Sequence, residues 1–168
     1  MKTLIAFYSR TGTTKKIAEA IAEKISADPD TAGYGASIEE IKDTVDRKGA
    51  IGYIRSGRDA MKKNLTKLEP FGREVAEYDR VIIGTPIWGW NVSVPVRTFL
   101  TEQKDKLADK KVAFFCTMGG SGDKQAFAEM EKIIGQKPEA TLALRTVDVV
   151  KDNTSEALAK FLEELSRV

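Results

Sequence analysis

The chain has 168 residues, 42% hydrophobic and 31% charged, which suits one domain over residues 1–168 with a continuous core. Its formal net charge of +2 is too small to point to nucleic acid. Histidine is absent and cysteine occurs once, at Cys116, so Ser/His and Cys/His catalysis, His-ligated metals and an intrachain disulfide are all excluded.

A lone cysteine suits a reducing compartment. The opening MKTLIAFYSRTG has too short an apolar run for a signal peptide, and no run approaches the ~20 residues of a membrane helix, so a cytoplasmic protein without a membrane span is expected. Chemistry is expected from a bound cofactor, with no catalytic side chain and no metal site.

In chain order, residues 4–8 form a short apolar run read as the first strand. From Thr14, Ile17, Ala18, Ile21, Ala22 and Ile25 recur at helical spacing, and this helix is expected to end before Asp28-Pro29. A second strand is expected over residues 36–41, and a helix over 51–64. Val81-Ile82-Ile83-Gly84 reads as a buried third strand, and residues 94–107 as the helix after it. Residues 112–116 form strand four. The next helix spans 125–134, stopped by Gly135 and Pro138. Strand five is expected over 142–150, then a terminal amphipathic helix over 155–165, capped by Asn153 or Thr154.

Apolar strands alternating with helices imply an α/β fold, a doubly wound five-stranded parallel sheet with helices on both faces. The order 2-1-3-4-5 places a ligand crevice at the carboxyl ends of strands one and three. The loops after strands one, three and four are therefore expected to carry the function.

The first loop is Ser9-Arg10-Thr11-Gly12-Thr13-Thr14. Its hydroxyls cluster where a helix N-terminus exposes unpaired N–H groups, an arrangement that attracts phosphate. An ordinary Ser/Thr cap with a glycine turn would use the same residues. The spacing fits neither a Walker A loop nor the G-x-G-x-x-G fingerprint. The second loop, Gly84-Thr85-Pro86-Ile87-Trp88-Gly89-Trp90-Asn91, holds both tryptophans of the chain. An indole stacks well on a flat ring, and one of the pair is expected to pack the following helix instead. The third, Thr117-Met118-Gly119-Gly120-Ser121-Gly122-Asp123, leaves its backbone bare for close approach of a ring, or serves as a linker capped by Ser121 or Asp123.

Ser-x-Thr-Gly-x-Thr after the first strand resembles the FMN phosphate loop of flavodoxins. That resemblance implies hydroxyls from Ser9, Thr11 and Thr14, amides from Gly12 and Thr13, and a variable position at Arg10. The second loop resembles the first flavin-ring loop of that family, with Thr85, Pro86, Ile87, Trp88, Gly89 and Trp90. Trp88-Gly89 matches a step that lies beside the flavin N5. The third resembles the second ring loop, with Thr117, Met118, Gly119, Gly120 and Gly122. The resemblance implies the flavodoxin-like fold, FMN as cofactor, and a carrier shuttling electrons between redox partner proteins. An NAD(P)H-dependent quinone or FMN reductase on the same fold is the alternative. A domain that has lost FMN and only binds partners is a third reading, against which the intact loops argue.

Residues 42–73 hold nine basic and four acidic side chains, a local excess of +5. They form either a solvated helix face or a docking surface for an acidic partner or a nicotinamide nucleotide phosphate. Many flavodoxins are markedly acidic, and this chain departs from them here. Cys116, at the end of a strand, is expected to be a small buried hydrophobe rather than a redox thiol.

Overall fold

All five residues of Thr3–Phe7 (β1) are buried, which requires cover on both faces of the strand. In the computed structural model, which describes residues 1–27 and 35–167, β1 pairs in parallel with Ala36–Glu40 (β2) and with Arg80–Trp88 (β3). Asn91–Val92 (β4) folds back antiparallel on the end of β3. Lys111–Met118 (β5) pairs in parallel with β3, and Thr141–Arg145 (β6) with β5. The order is β2-β1-β3-β5-β6. This is the expected doubly wound arrangement with one short antiparallel strand added.

The period-2 alternation of β1 divides the core. Leu4 and Ala6 face one layer, Ile5 and Phe7 the other. On the first side lie Gly49–Met61 (α2), Val94–Leu107 (α3) and Asp123–Ile134 (α4), which contribute Ala60, Phe99, Leu100, Phe127 and Met130. On the second lie Thr13–Ala27 (α1), Thr146–Val150 (α5) and Ser155–Ser166 (α6), which contribute Ile17, Ile21, Val149, Leu158 and Phe161. Among the described residues, no helix is long and apolar enough to cross a membrane.

Several expected boundaries shift. The third strand runs on to Trp88, so most of the expected second loop is strand, and only Gly89-Trp90 turns. The fifth strand stops at Arg145, where its pairing with Met118 ends, and residues 146–150 are helical instead. Arg145 donates two hydrogen bonds to Asp148, at 2.7 and 3.1 Å, across that corner. Thr154 precedes α6 without making a side-chain cap bond. Neither Ser121 nor Asp123 caps α4; Gly122 does so with φ +112°. The expected stop of the first helix at Asp28-Pro29 lies outside the described residues.

Helix α2 has an unusual inner face. Its buried positions are Gly52, Ser56 and Ala60, spaced four apart, so the helix approaches its support closely. A Cβ on Gly52 would stand 2.3 Å from the Arg47 carbonyl. Arg47 itself is buried, donating to Asp43 at 2.6 Å and Asp59 at 3.2 Å. Asp43 also accepts from Thr66 Oγ1 and the Val45 amide. This ion triad ties α2 to the end of β2.

Candidate functional site

Gly12 leads the chain from β1 into α1 with φ +88°, a conformation that favours glycine. Its amide donates to Ser9 Oγ at 3.1 Å, closing the loop, and its carbonyl accepts from the Lys16 amide. The amides of Thr13, Thr14 and Lys15 open α1 and have no partner one turn earlier in the helix. Thr11 and Thr13 hydroxyls stand 3.4 Å apart at the surface of this turn. Thr14, in contrast, is buried, and its hydroxyl lies 2.8 Å from that of Thr117 at the end of β5. Two paired hydroxyls share one hydrogen, so the pair retains a second hydrogen to donate elsewhere.

Two cavities open at the carboxyl ends of β1, β3 and β5. One, of about 370 Å³, is walled by Arg10, Thr11, Thr13 and Thr14 on one side and by Pro86, Thr117 and Met118 on the other, with Thr146 at its edge. The other, of about 400 Å³, is walled by Trp90, Gly89, Gly120 and Ser121, with Ile54 and Gly57 from α2. Tyr53, Ile87, Trp88 and Gly119 line both, so the cavities adjoin. No carboxylate lines either one. The first is rich in hydroxyls beside a helix N-terminus; the second is mostly apolar.

The hairpin tip shapes the second cavity. Gly89 and Trp90 both have positive φ, +53° and +61°, the signature of a tight two-residue turn. Trp90 stays 57% exposed, and its Nε1–H donates to Ser121 Oγ at 3.2 Å, tying the hairpin to the loop after β5. A Cβ on Gly122 would stand 2.9 Å from Trp90 Cα, so that glycine allows the two loops to meet. Trp88, in contrast, is 6% exposed. It is buried edge-on against Tyr8, with ring centroids 5.5 Å apart, and Arg47 Cζ lies 5.7 Å from its ring. The Gly89 carbonyl accepts from Asn91 Nδ2 at 2.8 Å.

Of the residues expected from the sequence, Arg10, Thr11, Thr13, Thr14 and Pro86 line the cavities, as do Ile87, Trp88, Gly89 and Trp90, and Thr117, Met118, Gly119 and Gly120. Four are not brought there. Ser9 closes its own loop and borders a smaller cavity of about 160 Å³ near Arg47. Gly12 makes the turn, and Gly122 packs the hairpin. Thr85 is fully buried, its hydroxyl latched to Ser93 at 3.0 Å and to the Pro86 carbonyl at 2.9 Å. Sequence reasoning missed Tyr53, Ile54, Gly57, Ser121 and Thr146 as lining residues. The small residues at 52, 56 and 60 were the available signal that α2 lies close and carries Tyr53 to the site.

Burial sets two ionisations nearby. It pushes the Cys116 thiol up to about 12, with the Asp123 charge adding to the effect. It also pushes the Tyr8 phenol up to about 12, with Asp43 adding to the effect. Cys116 is therefore a neutral core residue, as its place in the strand led one to expect.

A doubly wound sheet holds its ligand in a crevice at the switch point, and both cavities lie there with no carboxylate in their linings. Residues 38–149 match the flavodoxin domain, and the chain belongs to that family. No curated protein matches it. Among solved structures it is similar to a flavoprotein from Lactobacillus acidophilus NCFM in complex with FMN, with 26% identity, a TM-score of 0.65, and 89% of this chain and 97% of that chain covered. The two-electron reduced flavodoxin of Megasphaera elsdenii is 23% identical, with a TM-score of 0.59 and 93% of each chain covered. The apo form of an NADH:FMN oxidoreductase is 18% identical, with a TM-score of 0.58, 99% of this chain and 90% of that chain covered. The last two share the fold.

Proposed function

We propose that the whole chain acts as one FMN-binding domain and carries electrons between redox partner proteins in the cytoplasm. The observation that supports this most is the joined pair of cavities, hydroxyl-rich and basic at one end, apolar and aromatic at the other, with no carboxylate in either lining. That polarity is the polarity of FMN, a phosphate on a flexible arm joined to a flat ring.

The fit can be argued residue by residue. Thr11, Thr13 and the free amides at the start of α1 would hold the phosphate, with the Arg10 guanidinium adding positive charge. Thr14 and Thr117 both line the same cavity, so the spare hydrogen of their pair would be within reach of a ligand there. A Cβ on Gly119 or Gly120 would meet nothing within 4 Å, so their backbone leaves open space where a ring would lie. Tyr53 and Trp90 supply exposed aromatic surface at that end. Bound FMN supplies the redox chemistry. The protein's residues would bind and orient it, and no carboxylate or lysine lines its apolar end.

The experiment is a mixing test. The FMN-loaded chain is mixed anaerobically with NADPH, and flavin absorbance is followed. A carrier stays oxidised until a separate reductase is added. Direct bleaching by NADPH, followed by reoxidation with a quinone, would make the chain a reductase instead.

A further inference from the structure

The outer face of α2 carries what most helices bury. Ile51, Ile54 and Met61 are 79%, 70% and 61% exposed, while the inner face holds only Gly52, Ser56 and Ala60. Arg55, Arg58 and Lys62 share that outer face at helical spacing. The only carboxylate on α2, Asp59, is held by Arg47 and Arg58. The face adjoins the apolar cavity, because Ile54 lines it and Met61 packs against Gly89, whose added Cβ would come within 2.6 Å of Met61 Cγ.

The surrounding basic charge is narrower than the sequence implied. Within residues 42–73, Arg47 is consumed by Asp43 and Asp59, Lys63 by Glu129 and Arg73 by Glu39, and Arg58 shares Asp59 at 3.6 Å while its side chain stays exposed. The charge left to act outward is concentrated on α2 and its ends.

We propose that this face is the docking surface for an acidic redox protein, with Ile51, Ile54 and Met61 as its apolar centre and Arg55, Arg58 and Lys62 as its rim. The inference rests on the electron-carrier reading above and adds the place and the chemistry of the partner. Met, Arg, Tyr and Trp are enriched in protein interfaces: Tyr53 and Trp90 line the cavity, Met61 packs against Gly89 at its wall, and Arg55 and Arg58 stand beside them on α2. A second copy of the chain is disfavoured, because a two-fold axis would set this basic face against itself. A bilayer is disfavoured because the side of α2 opposite the apolar face is packed on protein, whereas a helix lying in a membrane surface turns a charged side to water. Docking here would bring the partner to the mouth of the cavity, where the path to the cofactor is shortest.

The test measures binding of the FMN-loaded chain to two immobilised probes: a plant-type two-iron ferredoxin, acidic, and cytochrome c, basic. The chain should bind the ferredoxin and not cytochrome c. Affinity should fall at least about tenfold between about 0.01 M and 0.15 M salt, as the screening length shortens from ~30 to ~8 Å. Arg55→Glu and Ile51→Ser should each weaken ferredoxin binding, Arg55→Glu by roughly tenfold. Lys104→Glu on α3 should leave it unchanged. Titration with FMN should be the same for all variants, since none of these residues lines a cavity. Absence of ferredoxin binding at low salt, or equal binding by Arg55→Glu and Lys104→Glu, would overturn the proposal. So would flotation of the chain with phosphatidylglycerol vesicles that Ile51→Ser abolishes, or a concentration-dependent dimer that Ile51→Ser dissolves. A chain that takes up no FMN would instead sink the function proposed above.

Discussion

Tyr53 joins the two cavities, and its replacement tests whether one ligand spans them. The side chain is 62% exposed, touched on one side by Arg10, whose Cζ lies 5.1 Å from the ring centroid. Tyr53→Ala should therefore cost the empty protein little, within ~0.5 kcal/mol, as for exposed positions generally. The cost should appear on binding. A flat ring laid on the phenol would cover about 60 Å² of it, worth about 1.5 kcal/mol at ~25 cal/mol per Å². Aromatic stacking adds about 0.5–1.5 kcal/mol beyond area. The expected loss is about 2–3 kcal/mol, or a ~30- to 150-fold weaker Kd for FMN. Tyr53→Phe should stay within a few-fold of the natural chain. The assay is quenching of FMN fluorescence, with urea unfolding of the empty variants alongside. An alanine variant that binds FMN as tightly as the natural chain would refute the placement of the ring beside α2.

Further outcomes follow from the same geometry. Gly120→Val should leave unfolding of the empty chain nearly unchanged, since its Cβ meets nothing within 4 Å, yet raise the Kd for FMN at least about tenfold by filling the cavity; paired titrations check both halves. Arg47→Met leaves the Asp43 and Asp59 carboxylates without their cation and should destabilise the fold by about 3–5 kcal/mol in urea unfolding, an effect that Arg55→Met, at an exposed position, should not share. Cys116 has a folded-state pKa raised from 9.0 to about 12, so the unfolded chain loses its thiol proton first. The contribution of the thiol is complete below pH 9 and is lost as pH rises toward 12. Unfolding midpoints measured across that window should fall, and less steeply in Cys116→Ala; Tyr8, raised from 10.0 to about 12, adds a later component of the same sign.

The sheet order was legible because β1, β5 and the first part of β3 are apolar and buried, and α1, α3 and α4 follow them in the sequence. The hairpin was not. Pro86 argues against a central strand, but β1 pairs with β3 only as far as Gly84, so one side of the strand is free where proline lacks its N–H. The turn itself was hidden because a tryptophan, not asparagine or glycine, holds the second positive-φ position. Strand five was expected over 142–150, but β6 runs out of pairing at Arg145 and residues 146–150 are helical, with Arg145 bonded to Asp148 across the corner. The first and third loops were legible because both lie at the carboxyl ends of strands where the sheet order puts the crevice, although a cap or a linker would use the same residues. Tyr53 was not, because its approach to the site depends on three small residues packing α2 onto the sheet, a tertiary effect with no local period of hydrophobicity.

The most direct measurement titrates the empty chain into FMN and follows the flavin emission. The account predicts quenching that saturates at one chain per FMN, with a yellow complex that survives gel filtration. Emission unchanged at an excess of folded chain would contradict it, and would leave the paired cavities without the ligand their polarity describes.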